Sequence, residues 1–179
     1  MIHPYIPYCP KKDGQDLGLA YNRFMELVPD EDWVCFLDHD ATWTTRDWYY
    51  QIGEIIEKNP NAGLLTVVTN RIGNPHQLIY QLPQDNHDIA SHRKVGKNLQ
   101  SQLRHHLVDV TNGQPISGVV LLLKKSTWRK VGGFKSGFLS VDNDMHLKVA
   151  RAGMPVYIMS GVYVYHWYRG DGDLSHIGK

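Results

Sequence analysis

The chain has 179 residues, 19 basic against 18 acidic side chains and 42% hydrophobic content. That length suits one domain whose core needs no disulfide or metal staple. A net charge of +1 argues against nucleic-acid binding through bulk charge. No run approaches the roughly 18 apolar residues of a membrane span.

Residues 2–8 are short and apolar, with Pro4 and Pro7, a pattern tolerated in an edge or first strand. Asp13-Gly14-Gln15-Asp16 offers a turn and an N-cap. Leu17, Ala20, Tyr21, Phe24, Leu27 and Val28 follow at helical spacing, and Pro29 stops that amphipathic helix. Trp33-Val34-Cys35-Phe36-Leu37 is an unbroken apolar run of the kind buried on both faces of a parallel sheet. Thr44 or Thr45 is placed to cap a helix that turns Trp48, Ile52, Ile55 and Ile56 inward and ends at Asn59-Pro60. Residues 63–69 (GLLTVVT) form a second buried strand. Residues 70–97 are polar and read as a long functional or mobile connection, followed by a helix over 98–108. Residues 118–123 (GVVLLL) are a third buried strand, and Ser126 caps a short helix ending at Gly132-Gly133. A helix over 142–151 stops at Gly153, and residues 156–159 and 162–165 close the chain as two short strands. This alternation predicts a single α/β domain, three layers deep, with a mostly parallel central sheet. Its ligand is expected beyond the carboxyl ends of the strands.

Cys9 and Cys35 fit no CxxC pattern, and two thiols make no disulfide framework. The start of the chain also lacks the basic-then-apolar pattern of a signal peptide, so the expected setting is reducing and cytoplasmic. Of the 18 acids, 14 are Asp, a residue favoured at caps, turns and metal sites. Four Asp-x-Asp pairs occur. Asp30/Asp32 sits in a turn before a strand, and Asp171/Asp173 alternates with glycines near the end of the chain. Asp38/Asp40 follows a buried strand directly. There two carboxylates point at one space and their repulsion calls for a cation, Mg²⁺ or Mn²⁺ by the hardness of the ligands; the alternative is a cap on the next turn. Asp142-Asn143-Asp144 opens a helix, where acids also complement the dipole. His166 ends a Tyr-Val-Tyr strand, where a lone His is more often structural than a ligand.

The order of these pieces resembles the GT-A glycosyltransferases, specifically family 2. The pieces are Leu17-Gly18-Leu19-Ala20-Tyr21-Asn22, strand-Asp38-His39-Asp40, Trp128-Arg129-Lys130-Val131-Gly132-Gly133-Phe134, Val141-Asp142-Asn143-Asp144-Met145-His146-Leu147, Ala152-Gly153 and Tyr165-His166-Trp167. They cover about residues 17–69 and 116–168. The resemblance implies a GT-A-like domain with a donor and metal half over 1–69, an acceptor and catalytic half over 98–168, and a mobile tail over 169–179. It implies that Asp38 and Asp40 hold Mn²⁺ or Mg²⁺ and the ribose-diphosphate of a nucleotide sugar, most readily a UDP-sugar. Asp40 would be the more direct ligand and His166 would complete the shell. Asp142 would be the general base of an inverting transfer to a carbohydrate or other hydroxyl-bearing acceptor. Asn22 and His39 join the donor-binding set. Two departures stand out. Residues 9–16 are all that fills the interval where the family carries a helix and a further strand, so base recognition falls to Pro7, Tyr8, Asp13, Asp16 or nearby backbone. Val141 stands where an acid is common, leaving Asp142 the one base in register.

Other readings stay open. Asp38, Asp40, Asp142 and Asp144 could hold two metals in a Mg²⁺-dependent phosphohydrolase or nuclease. A non-catalytic module that binds nucleotide sugars or carbohydrate is the third. Trp43 and Trp167 flank the candidate ligands, either stacking on sugars or simply packing. His92-Arg93-Lys94 with Lys97, Arg104, His105 and His106 is a solvated loop or a contact for a phosphate-bearing or nucleic-acid acceptor. The tail after His166 is a lid with Arg169 on the diphosphate, or a frayed terminus.

Overall fold

Apolar runs without alternation bury both faces, and here they form the middle of one sheet. The computed structural model describes residues 1–10 and 14–167, and within these the sheet has seven strands. β1 (Ile2–Tyr5), β2 (Trp33–Leu37), β6 (Val120–Lys124), β4 (Leu64–Thr69), β7 (Val156–His166) and β3 (Ala41–Trp43) lie side by side in that order. β5 (Leu107–Asp109) pairs with β7 off this path. Alternate residues face opposite sides. Val34, Phe36, Leu121 and Leu123 pack with α1 (Leu17–Leu27) and α5 (Val141–Arg151), while Cys35, Leu37 and Leu122 pack with α2 (Trp48–Lys58). No helix among the described residues is long and apolar enough to cross a membrane.

The sheet is mixed, which corrects the mostly parallel expectation. β1–β2 and β4–β7 are parallel, but β6 runs against both β2 and β4, and β3 and β5 run against β7. The cause is the path after α3 (Ile89–Leu103). β5 carries the chain to the start of β7, where the Val110 N–H donates to the Val156 carbonyl. The irregular segment 111–119 then climbs beside α5, so β6 starts opposite Leu37, where β2 finishes. The carboxyl ends of β2, β4 and β7 and the amino end of β6 thus share one edge.

Several local expectations shift. α2 starts at Trp48 after Asp47, and the Thr44 hydroxyl instead donates to the Tyr163 carbonyl at 2.6 Å. The stretch 70–97 is not one long connection: it holds a 3-10 turn at Pro75–Gln77 and most of α3, which begins nine residues before the expected 98. Asp88 caps α3 by accepting from the Ala90 and Ser91 N–H groups. Its buried stripe is His92, Gly96 and Leu99, and the two non-apolar members hid the helical period. α4 (Lys125–Lys130) starts one residue before Ser126. The two final strands are one, with a register shift against β4 between Val67 and Val68. Gly161 fits there because the Leu103 carbonyl oxygen lies 2.3 Å from where a Cβ would be.

α2 is tied to the end of α3 by charge. Arg104 donates to both oxygens of Glu54 at 2.9 and 3.1 Å, and His105 sits 2.7 Å from one of them. These bonds, Arg104 first, hold the Glu54 carboxyl down to about 2. A depressed carboxyl contributes stability above its ordinary pKa and loses it as pH falls toward the folded-state value. Glu54→Gln is therefore expected to flatten the stability profile between about pH 4.5 and 2, read by urea unfolding at a series of pH values.

Candidate functional site

β2 ends at Leu37, and the chain turns at once. The Asp38 N–H donates to the Val119 carbonyl, and the Asp38 carbonyl accepts from the Ala41 N–H, each at 3.1 Å. This tight turn leads into β3, whose Ala41 pairs with His166 at the end of β7. The Trp167 N–H also donates to the Asp40 carbonyl at 2.9 Å. Pairing of β3 with β7 therefore brings together side chains 126 residues apart. His166 Nε2 lies 3.2 Å from Asp40 Oδ1 and 3.9 Å from Asp38 Oδ2, and one ligand atom from each residue falls within 4.8 Å of the others.

The ring of His166 is 5% exposed, and its Nδ1 lies 2.9 Å from the Arg71 carbonyl. A carbonyl only accepts, so Nδ1 carries the hydrogen and the neutral ring keeps its lone pair on Nε2. That lone pair faces two carboxylates. A cation held between the three groups offsets the repulsion of the two carboxylates, and a metal ion can take one ligand atom from each. Two carboxylate oxygens and one imidazole nitrogen fit Mn²⁺, with Mg²⁺ the harder alternative.

Burial, with Asp40 and Asp142 adding to it, pushes the Asp38 carboxyl up to about 6 against the opposing pull of His166 and His39. Between its ordinary value and about 6 the folded chain binds this proton more tightly than the unfolded one. Stability of the metal-free protein therefore falls as pH rises through that window, and the full penalty is present at pH 7. Asp38→Asn removes it. The chelator-treated variant is expected to melt several degrees above wild type. Differential scanning fluorimetry at pH 7 reads this.

Asp142 approaches from α5. Ser140 takes a left-handed conformation (φ 58°) to start that helix, and Asp142 Oδ1 accepts from the Asn143 N–H at 2.9 Å. Gly118 backs it: a Cβ there would stand 3.0 Å from the Asp142 Cβ. Asp38, His39, Asp40, His166 and Asp142 all line one cavity of about 1380 Å³, with Pro7 and Tyr8 on its wall. Asp144 does not join them; its carboxylate pairs with Lys148 at 2.8 Å, one helical turn on. Among the described residues, Asp38, Asp40 and His166 are the one convergent group of ligand type. A four-aspartate, two-metal centre is not assembled.

Asp16 and Asn22, expected to bind donor, serve the fold and do not line this cavity. Asp16 caps α1 through the Leu19 N–H at 2.7 Å and also accepts from the Gly137 N–H and the Ser136 hydroxyl. These bonds, Ser136 first, lower its pKa. Asn22 accepts from Trp128 Nε1 and the Phe134 N–H and donates to the Phe134 carbonyl, all within 2.9 Å. It clasps α1 to the Gly132-Gly133-Phe134 turn. Trp43 stacks on Trp48 at 3.9 Å, so it packs, whereas Trp167 lines the cavity and stacks on His87 at 4.6 Å. The first part of the basic stretch is helix and not loop, with His92 buried and Arg93, Lys94 and Lys97 outside, whereas Arg104, His105 and His106 follow α3 in a turn. Asp13, Arg169, Asp171, Asp173 and the tail over 169–179 lie outside the described residues.

One pair escaped the sequence reading. Asn70 and Arg71 contact His166, Asn70 through its side chain and Arg71 through its carbonyl. Asn70 directly follows β4, so the strand-end rule that singled out Asp38 could have found it. No protein-family profile matches this chain, and no curated protein is significantly similar to it.

Proposed function

We propose that the chain is a divalent-metal-dependent glycosyltransferase. It moves a sugar from a nucleotide-diphosphate sugar, a UDP-sugar first, to an acceptor hydroxyl with inversion. The observation that carries this reading is that the Asp38, Asp40 and His166 group and Asp142 open into the same cavity. Its volume of about 1380 Å³ exceeds the roughly 300–1,000 Å³ of sites for one small molecule, which suits a donor and an acceptor together. Asp38, Asp40 and His166 would hold Mn²⁺ or Mg²⁺, which when bound neutralises the charge that builds on a diphosphate leaving group. Asp142 removes the acceptor hydroxyl proton as that oxygen attacks the anomeric carbon, and the bond from that carbon to the diphosphate oxygen breaks with its electrons going to the diphosphate. Asp142 also contributes to the upward push on Asp38, which supports placing base and leaving-group site in one reaction centre.

A thermal-shift panel of nucleotide sugars, with and without Mn²⁺, tests the reading. A true donor present at 100 times its Kd stabilises the folded state by about 2.7 kcal/mol, and it is expected to do so only with Mn²⁺. Release of the nucleoside diphosphate on adding carbohydrate acceptors then reads transfer. No shift with any nucleotide sugar overturns the donor assignment, and Mn²⁺-dependent binding without transfer makes the chain a binding module.

A further inference from the structure

β4 ends at Thr69, paired with Val164, two residues short of His166. The Asn70 side chain takes over. Its Oδ1 accepts from the His166 N–H at 2.8 Å, and its Nδ2 donates to the His166 carbonyl at 3.2 Å. The carboxamide thus acts as a peptide group would in the next rung of a sheet. Asn70 is fully buried, and the Thr69 hydroxyl donates to the same Oδ1 at 3.3 Å. One residue further, the Arg71 carbonyl accepts from His166 Nδ1 at 2.9 Å. Three points then fix one residue: N–H, carbonyl and ring.

We infer that Asn70 is the positioning residue of the metal centre, holding the His166 backbone on both sides so that the ring presents Nε2 to Asp38 and Asp40. The inference rests on the metal-binding reading of Asp38, Asp40 and His166, and not on glycosyl transfer. The requirement is for a carboxamide. An aspartate at 70 would lack the donor to the carbonyl, and a serine is too short to reach both backbone groups. Outer partners that orient a ligating histidine typically change metal affinity 10–100-fold.

Mn²⁺ titration of the full chain, followed by the electron paramagnetic resonance of free Mn²⁺, tests this at one pH in a double-mutant cycle. Asn70→Ala is expected to weaken Mn²⁺ binding about 10-fold or more, with loss of the nitrogen coupling of a bound imidazole in the pulsed spectrum. In a His166→Ala background the same substitution is expected to add nothing, because the group it positions is gone. Asn70→Ser provides the same comparison should the alanine variant fail to fold. Wild type binding Mn²⁺ while both Asn70 variants bind within twofold of it overturns the inference and leaves the metal site standing. Equal weakening in the two backgrounds also overturns it, since Asn70 would then act on the fold at large. Absence of Mn²⁺ binding by wild type overturns the metal reading itself.

Discussion

Asp40→Ala is expected to abolish Mn²⁺-dependent binding of nucleotide-diphosphate sugars while the chelated protein melts no lower than wild type. The Asp40 carboxylate is the one nearest His166 Nε2, at 3.2 Å. It is half of a like-charge pair, and its loss relieves repulsion that helps push Asp38 upward. The Asp40 carbonyl, which accepts from Trp167 and ties β3 to the end of β7, survives truncation of the side chain. Binding and folding therefore separate at this residue. The fall in Mn²⁺ affinity should exceed the roughly 10–100-fold cost of losing an outer partner, because a ligand itself is removed. Calorimetric titration with Mn²⁺ and the nucleotide-sugar thermal shift read the two halves. An Asp40→Ala protein that keeps the Mn²⁺-dependent shift at wild-type donor concentrations would remove Asp40 from the site.

How far the fold can be read in advance depends on what each element must bury. β2 is sandwiched on both faces, so Trp33–Leu37 stands out as an unbroken apolar run, and its bounds match residue for residue. α1 and α5 carry regular apolar stripes and lie within a residue of expectation. β3 and β5 have three residues each, too few for any period to appear. That gap matters for function, because β3 sets Asp40 beside His166. The carboxylate pair itself is legible from its place after a buried strand. Its third member is suggested only by the order of motifs, since pairing at such separation leaves no local trace. Asn22 shows the opposite hazard. Its motif reads as donor-binding, yet its partners Trp128 and Phe134 lie more than 100 positions away and make it a structural clasp. Asp16 carries two readings, donor contact and helix cap, and the cap is the one built. For Asp144 a signal was present: a lysine four residues on is the spacing of a helical ion pair.

Asp142→Asn is expected to leave Mn²⁺ and donor affinity within a few-fold of wild type and to lower turnover by roughly 10² or more, as loss of a general base does. The substitution is nearly isosteric. An amide oxygen still accepts from the Asn143 N–H, so the first turn of α5 keeps its geometry, but an amide takes no proton from an attacking hydroxyl at neutral pH. Space around the residue sharpens the test. A methyl group at Gly118 would press on Asp142, 3.0 Å from its Cβ and 3.2 Å from Oδ2. Gly118→Ala is therefore expected to displace the carboxylate and lower turnover while the Asp38, Asp40 and His166 group still binds Mn²⁺. Both variants are read as acceptor-dependent release of nucleoside diphosphate, beside a Mn²⁺ titration of each protein. Loss of turnover with metal binding intact in both places the base at Asp142, in the first turn of α5 and on the wall of the cavity. An Asp142→Asn protein that transfers at near wild-type rate would exclude Asp142 as base, and the inverting course with it.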